Sequence, residues 1–375
     1  MNIKKKLKEN RSVIFLVLGW LILVNSFSLL ALNRFNLEAD NAYSWISTDN
    51  YNQEKGWNLV SLHSRWDSSW YLDIVENGYK YKSDDALSNI VFFPVYPLLI
   101  KFTSSIFSVS NIFSGWMISC FFLFLSAIYL YRLIKEFHKE SDPLLSVFLL
   151  LIFPTAFFLN AIYTESIFLF LSVASFYYAL KRKYFWSALF GMVASLTRIT
   201  GLFLFIPLIV QGFIQEGFER STIKKCWPLF FIPIGTFLFF LFYWFRFGNF
   251  LLFFKVENAW GRSFHFNAEH FLFSSQPAIA NFSLDIFYAL FIFIIILALI
   301  KKKYWAYALY VALTVIAAMS SGTLMSIGRY ILVLFPIYII GSSIRTDLMK
   351  YAWIMISLSL MILNTILFVN WYWAG

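Results

Sequence analysis

Long apolar runs separated by small clusters of basic residues extend through most of this sequence. The first run, 13–32, matches the ~20 residues that an α-helix needs to cross the hydrocarbon core of a bilayer. Hydrophobic residues form 60% of the 375 residues and charged residues only 13%, and a soluble domain cannot bury so large an apolar fraction. We therefore predict an all-α integral membrane protein, because each helix satisfies its own backbone hydrogen bonds in lipid.

About eleven transmembrane helices are predicted. The candidate spans are 13–32, 112–131, 144–160, 165–180, 184–197, 200–214, 226–245, 284–300, 304–320, 330–344 and 351–371. The apolar segment 89–108 contains Pro94, Pro97 and Lys101, so we predict that it is broken or re-entrant rather than a clean span. Two of the candidates, 184–197 and 200–214, are short for a perpendicular span, and their boundaries stay open. No internal repeat divides the chain, which we treat as one domain, 1–375.

Basic residues are distributed unevenly between the two predicted faces of the membrane. If the spans alternate from a cytoplasmic N-terminus, nineteen of the thirty Lys and Arg residues fall in inside segments, as the positive-inside rule requires. This orientation makes 33–111 a large first extracytoplasmic loop. We expect a multi-pass protein of a prokaryotic plasma membrane, or of the endoplasmic reticulum membrane if the source is eukaryotic. The net charge of +10 is spread in small clusters between apolar runs, which argues against a nucleic-acid partner.

The stretch 63–79, H-S-R-W-D-S-S-W-Y-L-D-I-V-E-N-G-Y, holds the densest group of ionisable and aromatic residues in the chain. We predict a short helix that Ser64 caps and Gly78 ends. Asp67 has two interpretations on this helix. It is a functional carboxylate held at the bilayer surface, or it occupies the first turn and complements the helix dipole.

Further polar residues are predicted on the same face of the membrane as Asp67, and ionisable groups at membrane depth usually have a function. They are Glu165, Arg198, Trp260, Arg262 and Arg329. Each also has a plain structural interpretation. Glu165 follows a Thr164 cap, Arg198 and Arg329 extend to the membrane interface, and Arg262 is a solvated loop residue. Several arginines beside one carboxylate helix nevertheless suit an anionic, lipid-linked substrate.

The chain offers no convincing metal or nucleotide motif. His265, Glu269 and His270 have a spacing that matches no common metal site, and there is no phosphate-binding loop or dinucleotide fingerprint. We therefore expect no metal and no cofactor.

Six motifs, taken in order, resemble a known family. The string R-W-D-S-S-W-Y-L-D-I-V-E-N-G-Y resembles the first-loop motif of the PIG-V family, the mannosyltransferases that add the second mannose in GPI-anchor assembly, and of their bacterial homologues. Five later segments of this chain resemble further blocks of that family. They are F-F-P-V-Y-P-L (Phe92–Leu98), Y-T-E-S (Tyr163–Ser166), T-R-I-T-G (Thr197–Gly201), W-G-R (Trp260–Arg262) and S-I-G-R-Y (Ser326–Tyr330).

The resemblance implies a GT-C-like helical fold and a polyprenyl-phosphate sugar donor. The expected reaction transfers a sugar, mannose in this family, to a lipid-linked or surface glycan or glycolipid on the extracytoplasmic face. It implies that Asp67 is the catalytic group, which we interpret as a general base. The residues expected to bind substrate are Arg65, Trp66, Trp70, Tyr71, Glu165, Arg198, Trp260, Arg262 and Arg329. Bacterial relatives lack GPI anchors, so the acceptor does not follow from the family.

Alternatives to these expectations remain at the level of sequence. Trp66, Trp70 and Tyr71 either present stacking faces to a sugar or form an interfacial aromatic belt. A flippase or transporter of lipid-linked sugars would also need arginines and a groove, but it predicts internal repeats or charged residues deep in several helices. A non-catalytic membrane scaffold would leave the ordered polar motifs unexplained.

Overall fold

A computed structural model describes residues 10–34, 59–262, 279–320 and 324–374. In these residues the chain forms sixteen α-helices, joined by turns and short 3₁₀ segments, and contains no β-strand. In chain order the helices are α1 (Arg11–Arg34), α2 (Ser68–Asn77), α3 (Val95–Phe107), α4 (Asn111–Phe137), α5 (Pro143–Leu151), α6 (Glu165–Leu180), α7 (Tyr184–Ser195), α8 (Phe205–Glu216), α9 (Arg220–Cys226), α10 (Phe231–Phe247), α11 (Leu252–Val256), α12 (Ile279–Lys301), α13 (Trp305–Met319), α14 (Ile327–Leu332), α15 (Pro336–Ser342) and α16 (Asp347–Val369).

Six helical stretches within the described ranges are long and apolar enough to cross a bilayer, so the protein is an integral membrane protein. They are Arg11–Leu32, Asn111–Phe137, Ile199–Glu216, Arg220–Phe247, Ser283–Lys301 and Asp347–Val369. Four further apolar helices, α3, α6, α7 and α13, have between 10 and 17 residues. The described helices therefore support a multi-pass helical protein, but not the predicted count of eleven full spans.

Two of the predicted spans are not single continuous helices. The segment 144–160 contains only the nine-residue helix α5, followed by a 3₁₀ turn at Ala156–Leu159. The segment 330–344 is divided between α14 and α15. Both segments are almost entirely buried, and helices α5 and α15 pack against each other. Apolar composition does not distinguish a lipid-facing helix from a segment buried in protein, where a broken backbone is tolerated.

Helix α6 is the innermost helix of the part that the structure describes. Almost every residue from Glu165 to Ala179 is buried, and the helix packs against α4, α7 and α8. A helix that is apolar on all sides is typical of a protein interior. Its first residue, Glu165, is the only acidic group in its first turn, and this places a carboxylate deep within the fold.

The segment 89–108 is interrupted, as the sequence predicts. A 3₁₀ turn at Asn89–Val91 is followed by α3, which begins directly after Pro94 and has 13 residues. Proline at the start of a helix is tolerated because its missing N–H would be unpaired there. The extended residues between the two elements bring Phe92 and Phe93 to the site described below.

The motif 63–79 folds differently from the prediction at its start. Helix α2 begins at Ser68, and Ser64 does not cap it. The residues before it form a tight turn in which Trp66 has a φ of +53°. The predicted end is confirmed, since Gly78 follows the helix with a φ of +73°, which glycine adopts without strain.

Candidate functional site

A cavity of about 130 Å³ lies between α2, the turn at Arg198, the turn Glu257–Trp260 and α14. Its charged lining residues are Asp67, Arg198, Glu257, Arg262 and Arg329. Its aromatic lining residues are Tyr71, Phe92, Phe93, Phe253, Trp260, Tyr330 and Trp373. The motifs that lie far apart in the sequence therefore line one space, which has charged groups between aromatic walls.

Arg329 connects two carboxylates at this cavity. Its Nη1 donates to Asp67 Oδ2 at 2.7 Å, while Nε and Nη2 each lie 3.0 Å from Glu165 Oε1. The guanidinium also packs over the rings of Phe158 and Tyr163. Only 8% of its side chain is exposed, so the interpretation of Arg329 as an interfacial anchor is wrong.

Glu165 is shared by two arginines. Besides Arg329, Arg198 donates from Nη1 to Glu165 Oε1 at 3.0 Å, and the glutamate side chain is fully buried. A buried charge is costly unless it is paired and hydrogen-bonded, and Oε1 meets this condition with hydrogen bonds from Arg198 Nη1 and Arg329 Nε and an ion-pair contact to Arg329 Nη2. The other oxygen, Oε2, is buried and has no partner among the described residues. Thr164 makes no side-chain capping bond, so the cap interpretation of Glu165 is wrong.

Asp67 lies at the N-cap position of α2 without capping it. Its backbone N–H donates to Tyr163 Oη at 3.1 Å, and that hydroxyl donates to the Arg65 carbonyl at 2.9 Å. The carboxylate instead turns to Arg329 through Oδ2, and Oδ1 makes no hydrogen bond to the residues that the structure describes. The dipole interpretation of Asp67 therefore gives way to an ion pair at the cavity.

Two glycines of the sequence motifs allow close approach at the site. A Cβ on Gly201 would lie 2.3 Å from the backbone of Ala194, so the turn that presents Arg198 needs glycine there. A Cβ on Gly328 would lie 2.8 Å from the ring of Tyr288, directly before Arg329. Arg198 does not extend to an interface, because only 13% of its side chain is exposed and it lies over the Tyr330 ring.

A second arginine group lies on the other side of the cavity. Arg262 donates from Nη1 to Tyr330 Oη at 2.6 Å, and its Nε lies 3.7 Å from Glu257 Oε2. The expectation of a solvated Arg262 is wrong, since its side chain is only 21% exposed. Burial raises the pKa of Glu257, while Arg262 acts in the opposite direction. Sequence reasoning missed Glu257, although it lies only five residues before Arg262.

Four predicted substrate-binding residues, Arg65, Trp66, Trp70 and Glu165, are not among those lining the described cavity. Glu165 lies behind it and reaches it only through Arg198 and Arg329. Arg65 donates to the carbonyls of Ser61, Ser64 and Val369. The Trp66 and Trp70 rings are 3% and 6% exposed and pack within the fold, so the aromatic-belt interpretation is wrong for them.

Tyr71 and Trp260 do line the cavity, as does Trp373, which the sequence analysis did not single out. The Trp260 indole N–H is buried and has no partner among the described residues. It is therefore an unpaired donor on a residue that lines the cavity.

The structure gives no information on the weak metal hypothesis. His265, Glu269 and His270 lie outside the described residues. Within the described ranges, no group of three His, Cys, Asp or Glu side chains is placed to hold a metal ion.

Comparison with known proteins agrees with the motifs gathered at the cavity. A family model described as "Mannosyltransferase (PIG-V)" matches residues 11–226, which is more than half of the chain. The match includes Asp67, Glu165 and Arg198. No curated protein sequence gives a significant match to the chain. The chain belongs to the PIG-V mannosyltransferase family.

Proposed function

We propose that this protein transfers mannose from a polyprenyl-phosphate donor to a hydroxyl of a lipid-linked or surface glycan, with Asp67 as the general base. The observation that supports this most strongly is the geometry of Asp67. Arg329 holds Oδ2, while Oδ1 has no partner among the described residues and 14% of the side chain is exposed at the cavity. A fixed carboxylate with one free oxygen is suited to accept a proton from an acceptor hydroxyl.

The reaction is a displacement at the anomeric carbon. The acceptor oxygen attacks that carbon as its proton passes to Asp67 Oδ1. The bond between the anomeric carbon and the phosphate oxygen breaks, and polyprenyl phosphate leaves with the electron pair. Charge therefore increases on the phosphate, and positively charged donors fixed around it stabilise the transition state.

Arg198 and Arg262 are the cationic groups that we assign to the donor phosphate. Arg198 uses one N–H on Glu165, and a guanidinium has five, so it retains donors at the cavity. Arg262 has a neutral phenol, Tyr330, as its closest partner. The donor phosphate is a diester with one negative charge, and the polyprenyl phosphate that leaves is a monoester, which carries about 1.5 to 2 negative charges at neutral pH. Two guanidiniums can neutralise the charge that develops through paired hydrogen bonds.

Arg329 and Glu165 have a different role in this proposal. Arg329 already uses Nε, Nη1 and Nη2 on two carboxylates, so it contributes positive charge while it positions Asp67. Glu165 forms ion pairs with both Arg198 and Arg329 and so holds the two guanidiniums in position. This arrangement needs no metal, and we propose that none takes part.

Tyr71 and Trp260 are the aromatic residues that we assign to the sugar, since both line the cavity and the Trp260 N–H has no partner among the described residues. We assign a structural role to three residues of the motif that do not line the cavity: Arg65, Trp66 and Trp70. We place the cavity on the extracytoplasmic face, because nineteen of the thirty basic residues would then lie in cytoplasmic segments.

Sugar transfer from synthetic polyprenyl-phosphate mannose, with a membrane lipid extract as the acceptor source, tests the proposal. Asp67→Asn keeps the size of the side chain but cannot accept the proton, so turnover should fall by roughly 10²-fold or more with the protein still folded. Asp85→Asn makes the same chemical change at an exposed position of the same loop and should leave turnover unchanged. Near-normal turnover of Asp67→Asn would exclude Asp67 as the base.

A further inference from the structure

The residue before Asp67 has a strained backbone. Trp66 has a φ of +53°, in the left-handed region that bulky side chains rarely adopt. Such a conformation persists only when the surrounding structure holds it, and it is often found at functional sites. Since the direction of Asp67 follows from this turn, whatever holds Trp66 also fixes the position of the carboxylate.

Two tryptophans that follow α16 hold the Trp66 ring. Trp371 lies 6.0 Å from it at an interplanar angle of 62°, and Trp373 lies 5.6 Å from it at 85°. Both are edge-to-face contacts, which aromatic pairs favour. Trp66 and Trp373 are 3% and 4% exposed, so little room is left for the Trp66 ring to move.

The segment 369–373, which contains both tryptophans, is bound to the residues before Asp67 by further contacts. Trp371 also has a positive φ, +66°, and the backbone N–H of Tyr372 donates to the Leu367 carbonyl at 2.9 Å. The Arg65 guanidinium lies 4.7 Å from the centre of the Trp371 ring, and its Nε donates to the Val369 carbonyl. Residues 65–66 and 369–373 are thus joined by ring contacts and by a hydrogen bond.

Trp373 also contacts the partner of Asp67. Its ring centre lies 5.7 Å from Cζ of Arg329, and Arg329 donates to Asp67 Oδ2. One side chain therefore contacts both the residue that precedes Asp67 in the chain and the residue that binds its carboxylate. This segment lies outside the residues that the family model matches.

We propose that Trp371 and Trp373 are positioning residues that hold Asp67 in its catalytic orientation through Trp66 and Arg329. The inference rests on the proposed role of Asp67 as the base. Without the two rings, the Trp66 backbone relaxes and the carboxylate turns away from the reacting hydroxyl. A misplacement of about 1 Å at a reacting group can cost about 10²-fold in rate, so a contact outside the reaction centre can control turnover.

Separate measurements of kcat and of the donor KM for two variants, Trp373→Ala and Trp373→Phe, test the proposal. We expect Trp373→Ala to lower kcat by about tenfold or more with the donor KM within about twofold, which is a loss of ~1.4 kcal/mol or more of transition-state stabilisation. Phenylalanine keeps an aromatic edge and should restore kcat to within about threefold of the original value. Tyr372→Ala changes the neighbouring side chain of the same segment and should have no effect.

A raised donor KM with unchanged kcat would instead identify Trp373 as a substrate contact and overturn the proposal. Normal turnover by the folded fraction of Trp373→Ala would overturn it as well. If the alanine variant does not accumulate, Trp373→Leu and Trp373→Phe take its place, and equal kcat values for these two would also overturn the proposal.

A thermal double-mutant cycle of Trp66→Ala and Trp373→Ala tests the contact without any transfer assay. We expect the two losses of stability to be non-additive, because the two rings are in contact. Additive losses would contradict the proposal that Trp373 holds the Trp66 ring. If the unmodified protein transfers no mannose but the cycle shows coupling, the proposed function fails and the structural contact stands. If transfer occurs and the cycle is additive, only the positioning role fails.

Discussion

Substitution of Arg329 by lysine separates two roles that a cationic residue at this cavity can have. If Arg329 positions Asp67, the variant should lose turnover, whereas if Arg329 binds the donor phosphate, the variant should need more donor. Lysine keeps the positive charge, so neither Asp67 nor Glu165 is left without a cation. It loses the planar fork that reaches Asp67 through Nη1 and Glu165 through Nε and Nη2.

The expected magnitude follows from the three contacts. A hydrogen bond to a charged group contributes about 1.5 to 3 kcal/mol, and one ammonium cannot reproduce the geometry of the two hydrogen bonds and the ion-pair contact together. We expect the free energy of unfolding to fall by about 1.5 to 3 kcal/mol, since the charge itself remains. A poorly held Asp67 should lower kcat by about 10²-fold, which corresponds to ~2.7 kcal/mol.

Initial rates at varied donor concentration, with thermal unfolding in the same detergent, measure both quantities. Arg198→Lys is the matched variant, because its one bond to Glu165 is within the reach of an ammonium group. It should keep kcat within about threefold and raise the donor KM by about tenfold, since the paired donors for phosphate are lost. An Arg329→Lys enzyme with normal kcat and a raised donor KM would refute the positioning role.

Three further predictions concern charge, metal and orientation. Glu257→Gln removes the carboxylate that competes for Arg262 and should lower the donor KM, by up to about tenfold at neutral and higher pH. Because burial raises the pKa of Glu257, this carboxylate becomes protonated and neutral in the unmodified protein as the pH falls. The difference in donor KM between the two proteins should therefore shrink in acid. A difference that stays constant with pH would contradict the competition between Glu257 and the donor for Arg262. Transfer should survive exhaustive chelation, and loss of activity that Mn²⁺ or Mg²⁺ restores would contradict a metal-free mechanism. A cysteine at Ser83 should react with an impermeant thiol reagent in intact cells, and one at Ser221 should not; the opposite labelling would reverse the orientation.

The sequence predicts helices correctly where an apolar segment forms one continuous helix, and it predicts a break correctly where proline interrupts the segment. The apolar run 13–32 lies within α1, and the candidate 165–180 coincides with α6. The interruption at 89–108 was predicted because proline has a local effect on the backbone. The candidates 144–160 and 330–344 are divided into shorter helices because protein surrounds them instead of lipid, and hydropathy measures only the transfer out of water.

The candidate site shows the same division between local and long-range information. The motif pointed to Asp67, and ionisable residues at membrane depth pointed to Glu165, Arg198 and Arg329, because such charges are expensive to keep there. Their partners did not follow from the sequence. Arg329 lies 262 positions from the aspartate that it binds, and single-residue reasoning favoured an interfacial anchor.

The sequence by itself determined that this protein is helical and membrane-embedded, and it singled out the motifs of its family, since both depend on composition and on short-range order. Only the tertiary structure decided which charges pair, that Trp66 and Trp70 face inward, and that Glu257 and Trp373 belong to the cavity. A buried charge must have a partner within about 4 Å, but the identity of that partner depends on how distant helices pack together. Packing of this kind is a property of the whole fold, and no local pattern in the chain specifies it.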